Sequence, residues 1–484
     1  MVKRLVIVGA GEAGRMLARE IANRARDQYE VLGFLDDDAA LAGARVDGFP
    51  VLGSTADLAA IVRARRADEV LIAVPSAGRE FVRRMVSLCR DAAVPYRIAP
   101  GLLEIIKGPV YLEQIRDVRP EDLLGRETVE FDDAAIGRFL AGCTVLVTGA
   151  GGSIGGEICR QVARFGVGRL VLLGRGENQI YEIEREMREA HPQLDVEPVI
   201  IDIRDAAALA RAFARCRPDL VYHAAAHKHV HYMEAFPSEA VKNNVAGTRH
   251  VIDAARAAGV ARVVMLSTDK AAGPRGVMGA SKRFAEYLMA APAAPGDALK
   301  RITVRFGNVL ASRGSVVPLF VHQIRCGGPV TVSHEDATRF FMSIKEACML
   351  VVQASLMGEG GEIYILKMGQ PIRIAELARD LIALHGLRPG TDVRIEYTGL
   401  RPGEKIHEDL VAAGETTEIS GHDHILRAAP RLPAGLDVEG VYRRLVALAE
   451  AGDDRAVRAE LARAIPDAAL EEPLAAPERT ERKR

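Results

Sequence analysis

The sequence predicts an α/β protein with two parallel-sheet units in tandem, the second carrying a smaller C-terminal lobe. Three observations support this. A chain of 484 residues exceeds what one hydrophobic core usually serves, so more than one domain is expected. Two segments, RLVIVGAGEAG at 4–14 and CTVLVTGAGGSIG at 143–155, open alike. In each, a β-branched apolar run meets clustered glycines and an amphipathic helical pattern follows. Further apolar runs then alternate with helix-length polar segments, the rhythm of a doubly wound, Rossmann-like sheet.

In the first unit the later strand candidates are VLGFLD (31–36), DEVLIAV (68–74) and PYRIAP (95–100). The stretch RPEDLLGRE (119–127) lacks the Gly/Ser richness of a flexible linker and reads as an interdomain clasp. The second unit continues with RLVLLG (169–174), EPVIID (197–202), LVYHAAA (220–226), RVVMLST (262–268) and ITVRFGN (302–308). Beyond about residue 310 the rhythm breaks into shorter elements, as a substrate-binding lobe does. The expected domains are 1–125, 126–415, a helical extension at 416–465, and a disordered tail at 466–484 that has few large apolar residues.

Composition bounds the function. Hydrophobic residues make up 49% and charged residues 27%, with a formal net charge of −1. No global field recruits nucleic acid or an anionic membrane. The six cysteines form no CxxC pair, which predicts reduced thiols in a cytoplasmic protein. The basic, apolar start MVKRLVIVGAGEAG is cut short by glycines, unlike a signal peptide. No apolar run approaches the ~18 residues of a membrane helix. A soluble chain is expected, with membrane association only if a longer native form exists.

In TGAGGSIG, Gly149, Gly152 and Gly155 have the spacing that lets a backbone turn sharply under a pyrophosphate and hand it to a helix N-terminus. Ser153 and Ile154 between them begin that helix. An acidic residue about 20 positions on would hold the ribose of NAD. This chain has Gly174-Arg175-Gly176 instead. An arginine without a carboxylate suits a 2′-phosphate, so NADP is favoured over NAD. Asp202, with Ile203, is expected at the adenine, and Ala224 and Ala225 border the same cleft. The first unit's Gly9, Gly11 and Gly14, followed by Asp36-Asp37-Asp38, also fit a nucleotide fingerprint, though a lone GxGxxG is weak.

Eight motifs carry a resemblance: TGAGGSIG, YHAAAHKHV (222–230), AVKNNVAGT (240–248), STDK (267–270), MGASKR (278–283), VRFGNVLASRGSVVPLF (304–320), TRFFMSI (338–344) and GLRPGEK (399–405). In this order they resemble the UDP-N-acetylglucosamine 4,6-dehydratases of bacterial polysaccharide and glycan biosynthesis, within the extended short-chain dehydrogenase/reductase family. The resemblance spans most of residues 126–410. The first unit looks like the domain ahead of the catalytic one in the family's long members, which usually carry membrane helices; this chain has none. A homo-oligomer is implied.

The family's site pairs Tyr with Lys four residues later. Here Lys282 is the lysine, implied to bind the nicotinamide ribose, and Met278 stands in the tyrosine position. A thioether has no titratable proton. Some long-form dehydratases resemble this chain in that substitution, so a subfamily trait is expected. The resemblance makes Asp269 the acid at C6 and Lys270 the base at C5, beside Thr268. Thr268 through a water, or Asp269, is then the candidate acceptor of the C4 proton. A free lysine titrates near ~10.4 and a working base near about 7–8. Burial and the charges of Lys282 and the nicotinamide are expected to depress Lys270 accordingly.

For the substrate, Arg339 and Arg401 match the family's diphosphate contacts, since arginine forks suit phosphates. Asn308 matches a sugar or phosphate contact, and Glu404 a ribose contact. Lys228 and Asn244 would border the hexose and the active-site helix. His227, His229 and His231 alternate without an acidic partner, so no metal site is expected. The rivals are a nucleotide-sugar 4-epimerase, which needs no elimination pair, and a non-catalytic sugar-nucleotide sensor.

Overall fold

A computed structural model of the chain describes residues 2–74, 78–99, 129, 131–292, 296–310, 312–429 and 432–470. The RPEDLLGRE stretch and residues 471–484 of the expected tail lie outside the described residues. The chain divides into two compact units. One comprises Met1–Glu130, Val316–Thr331 and Ala375–Glu396, the other Phe131–Ser315, Val332–Ile374 and Tyr397–Arg484. Among the described residues no helix is long and apolar enough to cross a membrane.

The first unit holds β1 (Lys3–Val8), β2 (Tyr29–Leu35), β3 (Arg45–Val46), β4 (Phe49–Gly53), β5 (Glu69–Ile72) and β6 (Tyr96–Ile98). Their order in the sheet is β3-β4-β2-β1-β5-β6, parallel except for the β3–β4 pair. Along β1, Leu5 and Ile7 enter one core while Val6 and Val8 enter the other. Period-2 alternation across a sheet buried on both faces explains why the strand reads as an unbroken apolar run. The glycine turn after β1 leads into the helix Glu12–Arg24, and the Asp36 carboxylate accepts the Ala10 N–H at 2.7 Å. Within this unit Arg83 on the helix Arg79–Asp91 donates to Asp380 at 2.6 Å.

The second unit is built on β7 (Thr144–Thr148), β8 (Arg169–Gly174), β9 (Asp195–Ile200), β10 (Leu220–His223), β11 (Arg262–Thr268) and β12 (Lys300–Phe306). The parallel order runs β9-β8-β7-β10-β11-β12 and continues to Ile363–Leu366. An antiparallel pair, Ile425–Ala428 and Thr417–His422, finishes that edge. The chain reverses direction of winding between β7 and β10. Ligands of such sheets bind in the crevice this reversal opens at the strand C-termini.

A buried charge cluster ties β12 to the helix Val277–Ala290. Arg305, with 0% exposure, donates to Glu286 at 2.7 Å and to Glu415 at 2.7 Å. Arg283 donates to Glu415 at 2.6 Å and to Glu286 at 3.0 Å, and Ser267 donates to Glu286 at 2.6 Å. Burial would raise the Glu415 carboxyl, yet its bonds with Arg305 and the charge of Arg283 outweigh this and hold it at about 2.

Candidate functional site

The turn after β7 needs its glycines. Gly149 sits at φ +68°, and a Cβ there would lie 2.9 Å from the Ala225 nitrogen. A Cβ on Gly155 would lie 2.2 Å from the Gly149 carbonyl oxygen, so the helix Ser153–Ala163 could not approach the turn. Gly152 caps that helix without a side chain, leaving its first N–H groups available to an anion.

Gly149, Gly152, Arg175, Asp202, Ile203, Ala224 and Ala225 all line one opening of about 320 Å³. Ser153, Ile154 and Gly155 form the first helical turn behind it. Ser153 Oγ accepts the Arg313 N–H at 2.9 Å, and the Ile154 carbonyl accepts the Cys348 thiol. Arg175 stands 3.6 Å from Asp202, which Arg204 clamps at 2.8 Å. Burial raises the Asp202 carboxyl, but the Arg204 bonds and the charge of Arg175 hold it below its ordinary value. A glycine wall, a free helix N-terminus and an arginine at the rim fit a dinucleotide phosphate.

The reactive segment follows β11. Thr268 Oγ1 donates to Asp269 Oδ1 at 2.8 Å, and Lys270 Nζ donates to the same oxygen at 3.0 Å. Lys270 Nζ also reaches Asn308 Oδ1 at 3.3 Å and Glu408 Oε1 at 3.4 Å. Asp269 is fully buried, and its Oδ2 has no hydrogen-bond partner. Thr268, Asp269, Lys270 and Asn308 therefore lie together at the end of β11.

The charge of Lys270 differs from expectation. Burial lowers its pKa, but Asp269 and Glu408 on either side more than compensate, and the net direction is upward. The expected depression of Lys270 is thus corrected: Asp269 at 3.0 Å and Glu408 at 3.4 Å from Nζ outweigh burial. Lys282 carries the depressed value instead, pushed down to about 8 by burial, with Glu286 opposing.

Met278 is 3% exposed and belongs to the apolar core of this unit. Asn244 lies in a π-helical turn, Val241–Ala246, a form that recurs at functional sites. Its side chain accepts the His227 N–H at 2.8 Å and donates to the His227 carbonyl and to Ser281 Oγ, both at 3.0 Å. It fastens the loop after β10 to the helix that carries Lys282. His223, unremarked in the sequence, is pinned between Thr148 and Thr248 at 2.8 and 3.0 Å. Burial, with Lys282 nearby, drives its imidazole down to about 3, so it stays neutral.

The expected substrate residues are engaged to different degrees. Arg339 donates to the carbonyls of Thr338 (2.7 Å), Ile406 (3.0 Å) and Lys405 (2.8 Å), and its Nε lies 3.7 Å from Glu408. It braces the 405–408 segment. Lys228 donates to the Arg313 carbonyl at 2.8 Å. Arg401 is exposed, and its backbone N–H donates to Glu404 at 3.2 Å. Glu404 lines, with Arg275, Lys405 and His407, a cleft of about 750 Å³. Among the described residues, no group of three metal-ligating side chains occurs.

Two features leave little trace in the sequence. Glu408 follows the GLRPGEK motif by only a few residues, which is the signal that could have found it. Glu234 Oε1 accepts the Val277 N–H at 2.6 Å and so caps the Lys282 helix, while Arg458 holds Glu234 Oε2 at 2.8 Å.

Residues 145–430 match the family described as polysaccharide biosynthesis protein, and residues 2–100 match a CoA-binding domain family. The chain is 40% identical over 427 residues to the capsular polysaccharide biosynthesis protein CapD of Staphylococcus aureus, covering 88% of this chain and 71% of that one. It is 35% identical over 277 residues to a UDP-glucose 4-epimerase of Rickettsia typhi, covering 56% and 78%. Among solved structures, Pen from Bacillus thuringiensis aligns at 32% identity and a TM-score of 0.56, over 62% of this chain and 90% of that one.

Proposed function

The chain belongs to the polysaccharide biosynthesis protein family, and from that premise we propose that it removes water from a UDP-N-acetylhexosamine, preferentially UDP-N-acetylglucosamine, leaving a UDP-4-keto-6-deoxy sugar. The observation that carries this reading is the Thr268–Asp269–Lys270 constellation at the end of β11, with one buried Asp269 oxygen unpartnered. A carboxylate and an amine on adjacent residues are what elimination across C5 and C6 requires, and epimerisation does not.

A nicotinamide dinucleotide bound in the Gly149–Gly155 cradle supplies hydride acceptance at C4 and hydride return at C6. The remaining work falls to side chains. Met278 exchanges no proton, so the C4 hydroxyl proton passes through Thr268 to Asp269, along the 2.8 Å bond between them. Once Asp269 holds the C4 proton, the nearest anion raising Lys270 is gone; Lys270 then gives up its ammonium proton to solvent, removes the C5 proton and later returns it, while Asp269 protonates the C6 hydroxyl as it leaves. Lys282, buried on the helix Val277–Ala290, offers its charge to the ribose. Arg401, exposed next to the Glu404 cleft, is free to meet the diphosphate.

Arg175 at the rim favours NADP in this reading. Arg175→Ala is expected to weaken NADP+ binding about tenfold or more, the value of one charge-assisted hydrogen bond. Titration calorimetry should find NAD+ affinity nearly unchanged; equal losses for both would remove the preference.

The 35% identity to a UDP-glucose 4-epimerase favours a second reading, epimerisation at C4. Incubation with UDP-N-acetylglucosamine and either cofactor decides between them by mass spectrometry. Dehydration gives a product lighter by one water. An isomer of unchanged mass means epimerisation, and the absence of any product would overturn both.

A further inference from the structure

We infer that Arg313 is a further cofactor-binding residue, whose guanidinium holds the diphosphate at the mouth of the dinucleotide opening while Arg175 serves the adenosine end. The inference rests on the nicotinamide-dinucleotide reading and stands for dehydration and epimerisation alike. Arg313 belongs to the VRFGNVLASRGSVVPLF motif, five residues beyond Asn308. With Gly151, Gly152 and Gln179 it lines the opening of about 320 Å³.

The backbone fixes where this side chain begins. The Ser312 carbonyl accepts the Ser315 N–H at 3.0 Å, so Arg313 and Gly314 are the central residues of a tight turn. Gly314, at φ +72°, takes the position where such a turn favours glycine, and a Cβ there would lie 3.0 Å from His229 Cε1. The turn is also tied on both sides. The Arg313 N–H donates to Ser153 Oγ at 2.9 Å, and the Arg313 carbonyl accepts Lys228 Nζ at 2.8 Å. Ser153 is the first residue of the helix whose N-terminus suits an anion. The guanidinium is therefore tethered beside the place where a diphosphate binds.

Charge gives the second argument. Arg175, Asp202 and Arg313 are the formally charged side chains lining the opening. Asp202 is held by Arg204 at 2.8 Å and approached by Arg175 at 3.6 Å. The ion pair of Arg313, with Glu182, is long at 3.9 Å, and the two side chains are 67% and 66% exposed. A pair so well solvated contributes little, so exchanging Glu182 for a phosphate costs little. An arginine fork offers a diphosphate parallel charge-assisted bonds.

The two arginines stand in different places. Arg175 follows β8 and faces Asp202 beyond β9, whereas Arg313 is tied to the helix after β7. The diphosphate, common to NAD and NADP, falls to Arg313, and the 2′-phosphate, present only in NADP, to Arg175. Both candidate reactions return hydride to the sugar that supplied it, so release of the cofactor in between would end the cycle. Arg313 slows that release.

The test is titration calorimetry on the full chain carrying Arg313→Ala, with NAD+ and NADP+ as probes. Alanine removes the guanidinium and leaves both backbone bonds of the turn in place. Kd for NAD+ and Kd for NADP+ should each rise about tenfold or more, the worth of one charge-assisted bond. Arg313→Lys, which keeps the charge and loses the fork, should recover part of the affinity. The dissociation rate of NADPH, followed by its fluorescence, should rise in step with Kd.

Unchanged affinity for both cofactors would overturn the inference. A loss confined to NADP+ would overturn it too, since Arg313 would then serve the 2′-phosphate. If Arg313→Ala melts earlier than the unmodified protein without cofactor, Arg313→Lys decides: partial recovery of affinity supports the inference, and none overturns it. The unmodified protein is titrated first. If it binds neither dinucleotide, the cofactor reading has failed and the inference with it, whereas a loss seen only in the variant bears on Arg313 alone.

Discussion

Asp269→Asn is expected to reduce formation of the dehydrated product by about 10³-fold or more, equivalent to roughly 4 kcal/mol of transition-state stabilisation. The expectation is large because one carboxylate serves twice, as acceptor of the C4 proton and as donor at C6. Asparagine preserves size and can still meet the Thr268 hydroxyl and Lys270 ammonium that now converge on Oδ1. It can neither store nor release the proton. Because the first step also needs that carboxylate, the absorbance of reduced nicotinamide should be lost together with product. This pattern separates Asp269→Asn from Lys270→Met, which should spare oxidation and stop at the 4-ketone. Near-normal product from Asp269→Asn would refute the assignment of both proton transfers.

Arg305→Met is expected to destabilise the second unit by about 3–5 kcal/mol, the range for breaking a buried ion pair while leaving its partner charged. Methionine keeps the apolar stem and strands two carboxylates, Glu286 and Glu415, with only Arg283 between them. The loss should depend on pH with a defined sign. Glu415 is held at about 2, below its ordinary value of 4.5. Its ion pair therefore contributes fully above about pH 4.5 and loses its contribution as pH falls towards 2. Thermal melts of both proteins should show the gap narrowing between neutral pH and pH ~3. A gap that stays constant would mean that packing around Arg305, and not charge, carries the effect.

Much of the fold is legible in the sequence because parallel strands buried on both faces announce themselves as apolar runs. RLVLLG and RVVMLST form β8 and β11 without a residue of difference. EPVIID starts two residues after the strand it marks, since Asp195 joins β9 only through pairing with Arg169. The glycine cradle is equally plain, because backbone geometry leaves no other residue type there.

Charge is harder to read. The sequence shows Asp269 beside Lys270 but not Glu408, which meets the amine only after the chain has folded. Arg339 looks like a phosphate fork, and its carbonyl partners belong to a segment whose approach no local pattern encodes. The Glu286–Arg305–Glu415 cluster is invisible for the same reason: its members come from a helix, a strand and a loop. The proton partners in a buried site are a property of tertiary register, while its glycines and its reactive dipeptide are local.

The Glu234–Arg458 contact has a consequence for anyone building chimeras of such proteins. Glu234 meets the first turn of the Lys282 helix, and Arg458 comes from the terminal helix Asp454–Ala464. A graft that swaps the sheet and its loops but keeps a foreign terminal helix would leave the Glu234 carboxylate without its counter-charge. The helix start it clasps would then loosen, and with it the aim of the lysine one turn further on. The portable module is therefore longer than the motifs imply and should be cut after residue 464, not before 438.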